Sequence, residues 1–191
     1  MKQLTFVLLL VLGYFLYTNV IRKQLFLTKV VSKNGKSYLV RNLKDKQEAS
    51  DRLADLGETL DRLCQACQGE TGEKAEAVKR LVSKFDSESI TENIPGSSHV
   101  AYSVNKGSEV SICIRKKDTD EFHDKNTVHF VAIHELAHIM STSSGHTDEF
   151  WDNMKYLLEK ATSIGVYSPV DYSKSPVNYC GMEITSTPLD M

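Results

Sequence analysis

Several protein classes are excluded by what this chain lacks. No charge of one sign predominates: 23 Lys and Arg stand against 25 Asp and Glu, for a formal net charge of -2. There is no Arg/Lys-rich tail. The electrostatic footprint of a nucleic-acid-binding domain is therefore missing, and no nucleic-acid partner is expected. No Asn-x-Ser/Thr sequon occurs, which suits a cytosolic domain. Of four cysteines, Cys64 and Cys67 form the one C-x-x-C pair, and no second pair completes a zinc-ribbon spacing. The simple reading of all four is reduced, partly buried thiols; a redox pair or metal site at Cys64 and Cys67 is the alternative.

One long apolar run is present. Leu4 to Ile21 includes Phe6, Val7, Leu8, Leu9, Leu10, Val11, Leu12, Tyr14, Phe15, Leu16 and Tyr17. A bilayer span takes about 17–25 residues. Thr18-Asn19-Val20 is a poor leader-cleavage site, so the run is expected to be an uncleaved membrane anchor. Lys2 precedes it, while Arg22, Lys23 and Lys29 follow. That bias predicts a single-pass protein with its catalytic domain on the cytoplasmic side.

The chemistry lies in His134-Glu135-Leu136-Ala137-His138, with a further histidine at His146. Helix positions i and i+4 share a face, so His134 and His138 can bind one metal ion from one side. Glu135 sits about 100° around the helix, where it can hold and deprotonate a water at the metal. Thr127 to Met140 reads as a helix apolar on nearly all sides, with Asp124, Asn126 and Thr127 as start signals. Two imidazoles and a carboxylate buried in such a helix are costly unless satisfied, and one metal ion satisfies all three.

Ser141 to Gly145 is a turn by composition, and a second helix runs from about Thr147 to Ile164. Its stripe is Phe150, Met154, Leu157, Leu158 and Ala161. His146 stands at the mouth of that turn, placed to complete the three-ligand arrangement of a catalytic zinc site. Two alternatives stay open. The histidines are ordinary helix residues, or Asp148 or Glu149 replaces His146 as third ligand. His99, His123 and His129 read as surface or core residues.

Val40 to Cys67 reads as a helix with Leu53, Leu56, Leu60 and Leu63 as its packing stripe. Glu73 to Phe85 is another. Val100 to Val104 and Glu109 to Arg115 read as a hairpin. From Tyr167 onward there is little periodicity. A tyrosine of this tail, Tyr172 or Tyr179, could donate to an oxyanion, and Met182 could lie beneath the metal.

His-Glu-Leu-Ala-His, followed by Gly-His-Thr-Asp-Glu-Phe-Trp at Gly145 to Trp151, resembles the SprT-like, WLM and YgjP-like metallopeptidases. The resemblance runs from about His99 to Lys160. Carried over by position, it implies that His134, His138 and His146 are zinc ligands and Glu135 the general base. It implies that Phe150 and Trp151 pack the third-ligand helix under the site, and that the hairpin binds the substrate backbone as an added strand. Seven residues separate His138 from His146, so the spacing is not that of a metzincin. Some members of the group act on proteins crosslinked to DNA.

The expected architecture is α+β: a small zincin-like metallopeptidase domain with a short β-hairpin and an active-site helix, behind one N-terminal transmembrane helix. The expected boundaries are 1–23 for the anchor, 24–39 for a juxtamembrane segment, 40–166 for the domain, and 167–191 for an irregular tail packed on it. The expected function is that of a membrane-anchored, zinc-dependent peptidase acting on a protein or peptide. The alternatives are a non-catalytic zinc-binding assembly protein and a protease of DNA-bound proteins.

Overall fold

The computed structural model describes residues 2–17, 25–97, 101–104 and 107–189. Helix α1, Lys2–Leu16, carries the apolar run and leaves Phe6 to Phe15 exposed. Among the described residues no helix is long and apolar enough to cross a membrane. This corrects the expected single-pass anchor. The 15 residues of α1 rise about 22 Å, short of the roughly 30 Å of a hydrocarbon core. Residues 18–21 of the run lie outside the described residues, as do Arg22, Lys23 and His99.

Five strands form the main sheet in the order β1-β2-β3-β5-β4. They are β1 Leu27–Val31, β2 Ser37–Arg41, β3 Ile90–Glu92, β4 Ala101–Val104 and β5 Glu109–Ile112. β1 and β2 pair antiparallel, with Thr28 opposite Val40. They make two of the five strands from a stretch with no evident sequence periodicity. β2–β3 and β3–β5 are parallel. A parallel pair requires a crossover, usually helical. Here it is α2, Lys46–Cys67, followed by α3, Ala75–Lys84. Leu53, Leu56, Leu60 and Leu63 of α2 are buried, as their spacing predicts. β4 pairs antiparallel with β5, Ser103 opposite Val110, and lies at the edge of the sheet.

Helix α4, Lys125–Met140, starts where Asp124 accepts a hydrogen bond from the Thr127 N–H at 2.9 Å. It packs on α3, β4 and helix α5, Asp148–Ser163. α4 is thus enclosed, which accounts for its nearly uniform apolarity.

The C-terminal tail departs from the irregular segment expected. β6, Val177–Tyr179, and β7, Met182–Ile184, form a hairpin with Tyr179 opposite Met182. Its two turn residues, Cys180 and Gly181, have φ of 53° and 83°. This is the sign pattern of the tight turn that suits a twisted hairpin. Cysteine rarely adopts it, and Cys180 is held there by a disulfide to Cys113. That bridge corrects the reading of four reduced thiols. The partners are 67 residues apart, so no local pattern announces them.

The segment after β5 is fixed by a buried ion pair. Arg115 Nε donates to Glu92 at 2.8 Å and its Nη1 to Asp45 at 2.6 Å. The Arg115 guanidinium also lies 4.1 Å from the centre of the Phe122 ring.

Candidate metal centre and cleft

One turn of α4 separates His134 from His138, and their Nε2 atoms lie 3.2 Å apart. His146 comes from the α4–α5 loop, with Nε2 3.0 Å from that of His134. The three nitrogens lie within 4.8 Å of one another. Two neutral imidazoles facing nitrogen to nitrogen share at most one proton, whereas a cation between them satisfies every lone pair. Burial, then the neighbouring His138 and His146, pushes the His134 imidazole down to about 3, so its lone pair is available.

The floor of this cluster is Phe150. It is fully buried on α5, and its ring centre lies 4.7, 4.3 and 4.8 Å from those of His134, His138 and His146. Trp151 covers the outer side of His146 at 5.6 Å. Met182 does not lie beneath the rings: it is 51 % exposed on the hairpin. Phe150→Ala is expected to cost about 3–5 kcal/mol, the usual loss for a buried aromatic, and to loosen all three imidazoles together. Thermal unfolding and metal titration of the same sample check both effects.

The loop that carries His146 is shaped by Glu149. Its carboxylate accepts the N–H groups of Thr142 at 2.8 Å and Ser143 at 2.9 Å, and the Thr142 hydroxyl as well. Those backbone donors hold its pKa down to about 2. Glu149 therefore closes the turn instead of replacing His146 in the cluster. The other end is tied through Ser141, whose hydroxyl donates to the Ala137 carbonyl at 2.7 Å and accepts from Asn153 at 2.9 Å.

A folded-state pKa below the unfolded value means stability that is present above the unfolded pKa, near 4.3, and lost as pH falls through about 2. Glu149→Gln is expected to flatten the acid limb of the stability–pH curve. It should weaken metal binding less than His146→Ala. Urea unfolding between pH 2 and 6 shows the first effect and metal titration the second.

Glu135 is 5 % exposed. Burial pushes its pKa up to about 7, partly offset by a hydrogen bond from the Ser103 backbone N–H of β4. The sheet edge and the HExxH helix thus meet at this carboxylate. Both open on a cleft of about 770 Å³ whose walls include Tyr102, Ser103, His134, Glu135, Met182 and Ile184. The hairpin wall, residues 180–186, had no sequence signal of its own. Neither tail tyrosine is turned to the cleft as a donor. Tyr172 is fully buried against Phe130, ring centres 4.7 Å apart. The buried Tyr179 hydroxyl donates to the Cys113 carbonyl at 2.5 Å.

Among the described residues a second group could hold a metal ion: Cys113, His123 and Cys180. His129 is a core residue whose Nδ1 bonds the Val166 carbonyl at 2.8 Å. Cys64 and Cys67 are free and buried, and burial pushes the Cys64 thiol up to about 12. Protonated thiols inside a helix bundle are inert, which favours packing over redox chemistry at that pair.

Residues 73–182 match the WLM domain family. That stretch contains both candidate metal groups. An uncharacterized protein of Acanthamoeba polyphaga mimivirus is 31% identical over 154 residues, covering 78% of each chain. A protein of Invertebrate iridescent virus 3 is 37% identical over 84 residues, which are 43% of this chain and 50% of that protein. Among solved structures, Wss1 from Saccharomyces cerevisiae shares the fold. It covers 66% of this chain and 87% of its own at 15% identity, with a TM-score of 0.50.

Proposed function

The chain belongs to the WLM domain family, within the SprT-like/WLM zincin-like group, and from that premise we propose that it is a zinc-dependent peptidase. His134, His138 and His146 would hold the ion. The observation that carries the reading is the convergence of three imidazole nitrogens beside a buried carboxylate, in a cleft whose rim includes the edge strand β4. Bound there, zinc would polarise the scissile carbonyl and lower the pKa of water at the site to about 7.

The chain's own residues do the rest. Glu135 takes the proton of the attacking water and returns it to the leaving amine. Its position supports this: the carboxyl is buried on the cleft wall, next in sequence to His134. Ser103 holds the carboxylate in place through its N–H. In an antiparallel ladder alternate residues turn their backbone groups to the open side. The Ser103 N–H is taken by Glu135, so the Ser103 carbonyl and the Ala101 backbone are what this side of β4 turns to an added strand. An extended peptide added there would run past Glu135, so the substrate is an unfolded or extended protein segment. Phe150 fixes the imidazoles from below, and Glu149 fixes the loop of the third.

The test is incubation of the zinc-loaded chain with a panel of unfolded proteins, followed by mass spectrometry of new termini. Cleavage is expected. A chain carrying one zinc ion that produces no new termini from any member of the panel would reject the peptidase reading.

A further inference from the structure

Cys113, His123 and Cys180 come from three separate segments. Cys113 follows β5, His123 precedes α4, and Cys180 takes the first turn position of the β6–β7 hairpin. The cysteines are bridged, with Cα atoms 6.5 Å apart. His123 is the third member: its Nε2 lies 3.3 Å from Cys180 Sγ, and the three donor atoms fall within 4.8 Å of one another.

The imidazole is not there by chance of packing alone. The His123 backbone N–H donates to the Ile114 carbonyl at 2.9 Å, the ring stands 4.6 Å from that of Tyr179, and the residue is 6 % exposed. This fixes a ring nitrogen beside Cys180 Sγ, with the imidazole also hydrogen-bonded to the Arg115 carbonyl. A disulfide gains little from such a neighbour, since its sulfur is a weak acceptor. A Cys/Cys/His metal site requires it. The Arg115 carbonyl oxygen, 3.1 Å from each sulfur, lies beside the same point and supplies an oxygen donor. The buried Arg115–Glu92 pair keeps that carbonyl where it is.

We propose that in the reduced chain Cys113, His123 and Cys180 form a second metal site, separate from the three-histidine cluster and suited to a thiophilic divalent cation of the zinc type. The bridge opens by exchange with two equivalents of a small thiol. The Cys113–Cys180 bond breaks, each sulfur gains a proton, and the thiol leaves as its own disulfide. Binding of the cation then displaces the two thiol protons. Soft sulfur donors with one imidazole select zinc-type ions over magnesium or calcium. The hairpin is thus pinned by a covalent bond in one redox state and by an ion in the other. Its residues 182–184 wall the cleft, so both states keep that wall closed behind the substrate.

The experiment uses the full chain, oxidised or reduced with a phosphine that is then removed, and titrates each with Co²⁺. Thiolate ligands give cobalt a sulfur-to-metal charge-transfer absorption that three histidines cannot give. The reduced chain should bind one more ion than the oxidised chain and alone show that absorption. Cys113→Ser and His123→Gln should abolish or weaken it, while Cys64→Ser leaves it unchanged. Equal stoichiometry in the two redox states of the wild-type chain overturns the proposal whether or not the variants fold. So does a thiolate absorption that survives Cys113→Ser. If the three-histidine cluster bound no ion, the count would go from none to one, not from one to two, so the two assignments fail separately.

Discussion

Replacing Glu135 by Gln is expected to lower peptide hydrolysis by at least about 10²-fold, the usual contribution of a positioned general base. Zinc content and folding should stay near wild type. The amide has the size of the carboxyl and keeps an oxygen to accept the Ser103 N–H, the hydrogen bond that joins α4 to β4. It is also neutral, and Glu135 sits where burial already disfavours charge, so the exchange leaves no unmatched charge behind. What is lost is the lone pair that takes a proton. The measurement is single-turnover cleavage of an unfolded protein, with metal content and Tm determined on the same preparation. Equally slow cleavage by wild type and Glu135→Gln across the panel would reject the peptidase reading and favour a zinc-binding scaffold.

The second large effect concerns the ligands. His134→Ala and His138→Ala should each abolish tight zinc binding and, with it, hydrolysis. Structural zinc sites bind with about 10–16 kcal/mol over four ligands, or about 3 kcal/mol per ligand, which is on the order of 10²-fold in affinity. His134 is central, its Nε2 within 3.2 Å of His138 and 3.0 Å of His146, so its removal leaves two imidazoles where an ion would have three. His146→Ala should also lower affinity, by far more than Asp148→Ala. Competition with a chromophoric chelator gives all four affinities. Full zinc occupancy in His134→Ala or His138→Ala would remove the three-histidine cluster as the zinc site.

Much of this centre is legible in the sequence because its chemistry is local. His134, Glu135 and His138 fall within one and a half turns of a single helix, and helical geometry alone brings them together. His146 is eight residues beyond His138 across a polar turn with a capped helix after it, and Thr147 does cap α5. Buried stripes at Leu53–Leu63 and Phe150–Ala161 follow helical spacing and were equally readable.

What escaped the sequence is long-range. β1 and β2 are short, and in β2 the exposed Leu39 is as apolar as the buried Tyr38 and Val40 that flank it, so the sequence shows no alternation there. The β6–β7 hairpin has three residues per strand, and its turn uses a cysteine where Asn or Gly would signal it. The Cys113–Cys180 bridge and the Ser103–Glu135 hydrogen bond depend on which segments pack together, and residue spacing carries no such information. The apolar run of α1 misled in the opposite sense. Its composition suits a bilayer, but the helix among the described residues ends too soon to cross one.

The position of the cleft wall along the chain also has a consequence for the order of events during synthesis. Domains form from the N-terminus as the chain emerges at about 5–20 residues per second. The sheet, the HExxH helix and the loop of His146 are all complete by residue 163, whereas the hairpin that walls the cleft ends at Ile184. For roughly one to four seconds the nascent chain holds its three imidazoles without the wall opposite them. On the peptidase reading, a half-built cleft has no channel to align an extended segment, so the chain's own unfinished C-terminal stretch would pass the three histidines in that interval without being cut.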